Sequence, residues 1–289
     1  MTALLQPTTV AQALTALQTL GLDRLDAQLL VLHALQQAPH HRAWLLAHDT
    51  DPVDATALAT LTALASRRLA GEPLAYLTGH KEFFGLDLAV DARVLVPRPD
   101  TETLVSWALQ VLTDIQRARV LDLGTGSGAI ALALKATRPD LQVNALDFSE
   151  DALTVARTNA ARLQLDVHFS QGAWLAQLPA DTPPFQAIVS NPPYIAAQDS
   201  HLAALTHEPL QALASGADGL DDIRQIIDQA PAHLLPGGWL LLEHGHDQAA
   251  AVRALLQTAG LTDVQSRCDL NQIERCSGAR QPMTGFQHV

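Results

Sequence analysis

Lysine occurs only twice in the 289 residues, as Lys81 and Lys135, and the 18 basic residues face 30 acidic ones, a net charge of −12. Such a surface repels phosphate backbones and anionic headgroups, which argues against bulk electrostatic binding to DNA, RNA or a membrane surface. Cysteine is as scarce. Cys268 and Cys276 are eight positions apart, a spacing that suits neither a disulfide framework nor a zinc site and points to a reducing, cytoplasmic setting. No run of about 18 uncharged apolar residues occurs and Met1 to Val10 carries no basic leader region, so neither a membrane span nor a signal peptide is expected. A Gly-x-Ser-x-Gly elbow and a Cys-x-x-Cys pair are also missing, which leaves serine hydrolysis and thiol redox chemistry without support. What is there is a chain 48% hydrophobic and 17% charged, ample for a buried core and long enough for two domains or one large α/β domain.

The first 70 residues hold one glycine, Gly21, and are rich in Ala and Leu. Val10, Leu14 and Leu17 recur at helical spacing after Thr8 or Thr9 as a cap, and Leu25, Leu29 and Leu32 repeat the pattern after Asp23. A further helix is expected from Asp51 as cap and Pro52 at its first position, with Leu58, Leu61, Leu64 and Ala65 on one face and a stop at Gly71. Residues 1–72 thus read as a helical bundle without chemistry, a packing or partner-docking module. Residues 73–96 read as a linking strand pair, because Phe83-Phe84-Gly85 is followed by alternating Leu86, Leu88 and Val90. Asp100 or Thr101 is expected to cap a helix through Leu112. Strands then alternate with helices: strands at 120–123, 141–146, 167–169, 185–190 and 239–243, two more near Val264 and Cys276, and helices at 128–137, 149–162, 222–235 and 247–259. That alternation gives an α/β fold, a mostly parallel sheet with helices on both faces.

Two motifs fall where such a sheet binds ligands. Gly124-Thr125-Gly126-Ser127-Gly128 lies between a strand and a helix, where a sharp turn lets a ligand approach bare backbone and the helix start presents N–H groups. Asp147, 23 residues after Gly124, ends the next strand and is placed to accept from ribose hydroxyls. The pair points to an adenosine-type ligand without saying which; with Ala129 the loop also fits the dinucleotide pattern. Asn191-Pro192-Pro193-Tyr194 ends the fourth strand. Its prolines stiffen the backbone and leave only carbonyl acceptors, Asn191 adds a side-chain carbonyl, and Tyr194 adds an aromatic face. Such a corner suits a planar –NH2 group, and beside an adenosine-type ligand it points to S-adenosylmethionine and methyl transfer to nitrogen. Trp174 is a candidate for stacking on adenine. Glu243-His244-x-His246 lacks a third metal ligand at a useful spacing and reads as a strand end, so no metal is expected.

These residues together resemble the glutamine-N5 methyltransferases that modify peptide chain release factors, the HemK/PrmC family. The likeness runs from Gly71 onward, through Gly71-Glu72-Pro73-Leu74-Ala75-Tyr76-Leu77-Thr78-Gly79, Glu82-Phe83-Phe84-Gly85, Val96-Pro97-Arg98-Pro99-Asp100-Thr101-Glu102, Leu121 to Leu132, Ser190 to Ile195, Glu208-Pro209-Leu210 and Leu242-Glu243-His244-Gly245. The Pro-Arg-Pro-Asp-Thr-Glu stretch is the most specific, since adenine-N6 methyltransferases share Asn-Pro-Pro-Tyr. The resemblance implies a seven-stranded class I, Rossmann-like methyltransferase domain over residues 97–289 behind a small all-α bundle that docks the substrate. It implies S-adenosylmethionine held by Gly124, Thr125, Gly126, Ser127, Gly128, Asp147, Trp174 and Asn191. The glutamine of a release factor's Gly-Gly-Gln loop would be held by Asn191, Pro192, Pro193 and Tyr194, with Asn191, Pro192 and Tyr194 catalytic. A monomer acting without direct nucleic-acid or membrane contact is expected. Ala173 and His207 depart from the pattern, where an acidic and an aromatic residue are more usual. A ribosomal-protein glutamine methyltransferase, an adenine-N6 nucleic-acid methyltransferase, and a nicotinamide-dependent oxidoreductase or nucleotide-binding module remain the competing readings.

Overall fold

The structure, a computed structural model, describes residues 9–283. It divides into two compact units, one ending at His80 and one starting at Lys81.

The first unit is helical: α1 (Val10–Thr19), α2 (Arg24–Ala34), α3 (Trp44–Ala47), α4 (Ala55–Leu69) and α5 (Leu74–Thr78). Thr8 lies outside the described residues; Thr9 caps α1, its hydroxyl accepting from the Gln12 N–H at 3.4 Å. The cap expected at Asp51 is instead Asp54, whose carboxylate accepts from the Ala57 N–H at 2.8 Å. Asp51 and its neighbours serve another helix start: Val10 N donates to Asp51 O and Ala11 N to Asp49 O, satisfying two of α1's free amides. Val10, Leu17, Leu30, Leu32, Leu61 and Leu64 close this unit's own core.

A hairpin of β1 (His80–Phe83) and β2 (Leu86–Ala89) precedes a single seven-stranded sheet. Its strands are β3 (Arg119–Leu123), β4 (Gln142–Asp147), β5 (His168–Gln171), β6 (Phe185–Ser190), β7 (Leu234–Glu243), β8 (Thr262–Cys268) and β9 (Glu274–Arg280), in the order β5-β4-β3-β6-β7-β9-β8. The first five run parallel, and β9 is antiparallel to both β7 and β8. The helices of this unit are α6 (Glu102–Val111), α7 (Ala129–Thr137), α8 (Glu150–Leu163), α9 (Asp221–Gln229) and α10 (Ala249–Thr258). The run Ala187-Ile188-Val189 is fully buried, as expected of a central parallel strand covered on both faces.

Residues 74–78, expected within the linking strand pair of 73–96, form α5 of the helical unit instead, so the pair is confined to His80–Phe83 and Leu86–Ala89. Two boundaries in the sheet unit also differ from the sequence expectation. The helix expected over 222–235 stops at Gln229 and tightens into a 3-10 turn over Ala230–His233. Pro231 has no N–H to donate back to the α-helical ladder. The Pro236-Gly237-Gly238 stretch lies inside β7 rather than before it, forming an irregularity where Gly237 N donates to Gln281 O and Gln281 N to Gly238 O.

Candidate active site

From β3 the chain builds β4 and β5 to one side and β6 and β7 to the other, so the order reverses between β3 and β6. A crevice opens at the carboxyl ends of the strands at such a point. A cavity of about 300 Å³ lies there, lined by residues that include Gly124, Gly126, Asp147, Trp174, Asn191 and Pro193. These motifs, scattered over nearly 70 positions of sequence, therefore meet in one place. Thr125, Ser127 and Gly128 are buried behind the lining and shape the loop instead.

The loop is folded by its own amides. Gly124 N and Thr125 N both donate to Leu146 O, at 2.8 and 3.0 Å, and Gly128 N donates to Thr125 O at 2.8 Å. Gly128 has φ +85°, and a Cβ there would meet Leu132 at 3.0 Å and Ala156 at 3.3 Å, so only glycine lets α7 pack this closely. Gly126 N donates to Asp147 Oδ2 at 2.8 Å, and Ser149 N donates to Asp147 Oδ1 at 2.8 Å. Each Asp147 oxygen keeps a lone pair for a hydroxyl group. The N–H groups expected to greet a ligand are thus largely spent within the protein. Burial holds the Asp147 carboxyl above its usual range, against the amide bonds that pull it down.

Beneath the loop, Asp122 is completely buried, its Oδ2 accepting from the Thr125 hydroxyl at 2.6 Å and the Ala131 N–H at 3.2 Å. Trp174 takes a left-handed backbone conformation, φ +52°, which brings its ring to within 3.4 Å of where a Gly124 Cβ would stand. Its indole N–H donates to Asp222 Oδ1 at 2.9 Å. Asp222, in the first turn of α9, also lines the cavity, beside Ala173, so the wall carries a carboxylate that position 173 does not supply.

The Asn-Pro-Pro-Tyr corner is clamped from several sides. Asn191 Nδ2 donates to Thr101 Oγ1 at 3.2 Å, which leaves the Asn191 carbonyl free to accept. Ile195 N donates to Leu213 O, Ser215 N to Ile195 O, and Gln248 Nε2 to Tyr194 O at 3.0 Å. Pro192 is buried and Pro193 lines the cavity. Tyr194 is half-buried against the sheet's hydrophobic core, and its hydroxyl faces Glu243 Oε1 at 3.4 Å rather than the cavity.

The Pro-Arg-Pro-Asp-Thr-Glu stretch frames this corner. Arg98 pairs at 2.5 Å with Glu208, which also accepts from the Val96 N–H at 3.0 Å and is almost fully buried. The next residues, Pro209, Gln211 and Ala212, line the cavity, so this pair holds one wall of the site in place. Asp100 faces Arg275 at 3.3 Å, and Glu102 accepts from the Phe84 N–H at 3.0 Å. Thr101, Glu208 and Glu243 stand out in the sequence only as parts of the stretches that carry the family resemblance, with no chemical role assigned to their side chains, and Asp222 only as a helix start. In the strand end at Glu243, His244 is hydrogen-bonded through its two ring nitrogens to Gly245 O and Ser277 Oγ, and His246 is exposed.

Comparison with known proteins agrees with this geometry. Residues 101–264 match the methyltransferase small domain family, and residues 8–79 match the PrmC N-terminal domain family. A release factor glutamine methyltransferase of Bordetella pertussis is 52% identical over 260 residues, covering 89% of this chain and 95% of its own. Its Escherichia coli counterpart is 42% identical over 272 residues, covering 93% and 96%. The crystal structure of a methyltransferase from Pyrococcus furiosus shares the fold, with a TM-score of 0.52, 19% identity, and coverage of 75% and 97%. Likeness that extends over almost the full length of those relatives, and over both units, means that the chain belongs to the release factor glutamine methyltransferase family.

Proposed function

We infer that this chain is a protein methyltransferase that moves a methyl group from S-adenosylmethionine to the side-chain amide nitrogen of the Gly-Gly-Gln glutamine in peptide chain release factors, in the cytoplasm. The observation that carries the reading is the Asn191 amide. Its NH2 is committed to Thr101, so its carbonyl is turned out as an acceptor at the wall of a cavity that Asp147 and Trp174 also line. The residues present fit the cofactor. Asp147 keeps lone pairs for ribose hydroxyls, Trp174 offers a flat face, and Gly124 and Gly126 leave the backbone bare. Bound there, the cofactor supplies a sulfonium-activated methyl group.

The chain's own part is to hold and align. Asn191 Oδ1 and the carbonyl of Pro192 accept the two hydrogens of the substrate carboxamide, directing its nitrogen lone pair toward the methyl carbon. Asn191 and Pro192 would keep the amide nitrogen aimed at the methyl carbon that the cofactor, held by Asp147, Trp174 and the glycine loop, would supply, and the amide proton would pass to water. Alignment of this kind supplies roughly 7–11 kcal/mol of the barrier. Pro193 keeps the corner stiff, and the helical unit is assigned to docking the protein substrate.

The oxidoreductase reading loses support from the loop itself. A pyrophosphate needs free amides and no negative charge at the helix start. Here the amides of Gly124, Thr125 and Gly126 are engaged and the Asp147 carboxylate occupies the turn. The net charge of −12 weighs against a nucleic-acid substrate.

The test is transfer of tritiated methyl from the cofactor to full-length release factor. Label is expected in the intact factor and absent when its loop glutamine is replaced; equal labelling of both overturns the reading. In the same assay Asn191→Ala should leave cofactor affinity within a few-fold while slowing turnover on the order of 10²-fold, as when one positioned polar contact is lost at a reacting centre. Wild-type turnover in that variant would remove Asn191 as the amide holder.

A further inference from the structure

Glu243 stands under the Asn-Pro-Pro-Tyr corner without having entered the reaction described above. β7 pairs with β6 so that Leu242 lies beside Ser190, which sets Glu243 next to Asn191. Its side chain is 1% exposed. One carboxyl oxygen lies 3.4 Å from the Tyr194 hydroxyl, and the other is buried without a partner. Thr101, itself buried, receives the Asn191 amide hydrogen, and its hydroxyl lies near the same carboxyl group without a hydrogen bond to the unpartnered oxygen. Burying a carboxyl group in the wall of a site costs several kcal/mol unless its hydrogen-bonding capacity is used.

We propose that Glu243 is a positioning residue for the transfer: its carboxylate accepts from the Thr101 and Tyr194 hydroxyls and so fixes which way the Asn191 amide is turned. With the Thr101 proton directed at Glu243, the Thr101 oxygen can only accept from Asn191 Nδ2, and the Asn191 carbonyl is left facing the substrate. A protonated Glu243 removes that direction, since its own O–H can then donate to Thr101 or Tyr194. Burial pushes Glu243 up to about 7; Thr101 opposes this, Asp100 adds to it, and Arg275 and Tyr194 oppose it. Cys276, opposite Glu243 on β9, stays a neutral thiol because burial raises it too, and His244 is turned away onto Ser277. Burial thus brings the titration of Glu243 near neutrality beneath the corner, as it does that of Asp122 beneath the glycine loop. The proposal rests on the amide-holding role of Asn191.

The experiment compares wild type with Glu243→Gln in full-length chain, measuring methyl transfer to full-length release factor from about pH 6 to about pH 8.5 and cofactor affinity by calorimetry. The expected result for the variant is a kcat lower by about tenfold, the equivalent of one lost hydrogen bond to a charged group, with KM for the factor and cofactor affinity within threefold. Wild-type kcat should fall as pH drops through about 7, and the variant should lack that limb. A merely structural Glu243 predicts otherwise: Glu243→Gln would shift the melting temperature and leave kcat and its pH profile as in the wild type. A variant with wild-type kcat and the wild-type pH profile overturns the proposal. Tyr194→Phe reads the same link independently of how Glu243→Gln folds. Its loss of kcat should be less than additive with that of Glu243→Gln, and Tyr194→Phe alone should move the acidic limb to higher pH, because the Tyr194 hydroxyl helps to hold Glu243 down; strict additivity or an unmoved limb overturns the proposal. Failure of the wild type to label the factor would instead overturn the functional reading itself.

Discussion

At the scale of single residues, Asp122 sets burial against charge most sharply. It is completely buried, its Oδ1 has no hydrogen-bond partner, and burial pushes its carboxyl group up to about 7 although Thr125 and the Ala131 amide pull the other way. A carboxyl group raised above its unfolded value stabilises the fold fully at pH below about 4 and loses that contribution as pH climbs through its folded value. Asparagine cannot ionise and keeps the acceptor for Thr125. The melting temperature of Asp122→Asn relative to wild type should therefore rise between about pH 5 and about pH 8, since only the wild type must bury a charge at the upper end. Thermal melts across that range check it; a constant difference would mean that Asp122 titrates at an ordinary carboxylate value.

At the scale of elements, what was legible was local. The strand 185–190 matches its expected limits, and Ser149 caps α8 by accepting from the Ala152 N–H, because alternation and capping are written within a few residues of one another. The glycine loop and Asp147 were legible for the same reason. The Asp51-Pro52 start was misread because its backbone carbonyls serve a helix 40 residues earlier, which no local pattern carries. The clamps of the site were hidden likewise: Thr101 reaches Asn191 across 90 positions, Arg98 reaches Glu208 across 110, and Trp174 reaches Asp222 across 48. Tyr194 showed that a side chain's type can be informative while its direction is not, since its hydroxyl faces Glu243 and not the cavity. Gly219 is another long-range requirement. It has φ +77°, and a Cβ there would stand 2.2 Å from Tyr194 O and 2.7 Å from Gln248 Nε2, the atom that holds that carbonyl. Gly219→Ala should displace the corner and cut methyl transfer more than tenfold while costing roughly 1–3 kcal/mol of stability. Gly85→Ala is the control, with φ +79° and nothing within 4 Å of the new Cβ, and should cost stability through the backbone alone. Equal activity losses in the two variants would show that the Tyr194 contact is not what matters.

At the scale of the whole molecule, the described residues of the helices before His80 form a hydrophobic cluster that shares no residue with the one packed around Leu121, Ile188 and Leu240 of the sheet. Every residue assigned to the chemistry lies in the unit that starts at Lys81. That separation makes the docking role of the helical unit testable without touching the site. Leu30 is fully buried in the helical core, and Leu30→Ala should destabilise that unit by about 2–5 kcal/mol, the usual cost of such a truncation. Heated to a temperature at which this unit has unfolded and the sheet has not, the variant should still bind S-adenosylmethionine with wild-type affinity by calorimetry, because Asp147, Trp174 and the glycine loop are supported by the sheet. Methylation of full-length release factor should fall at that temperature through a higher KM, since a substrate that is no longer docked reaches the same cavity less often but meets the same aligned groups once there. A KM that holds at its wild-type value while the helices are unfolded would leave recognition to the sheet unit alone, and a fall in kcat at unchanged KM would mean that the helices support the catalytic corner rather than the protein substrate.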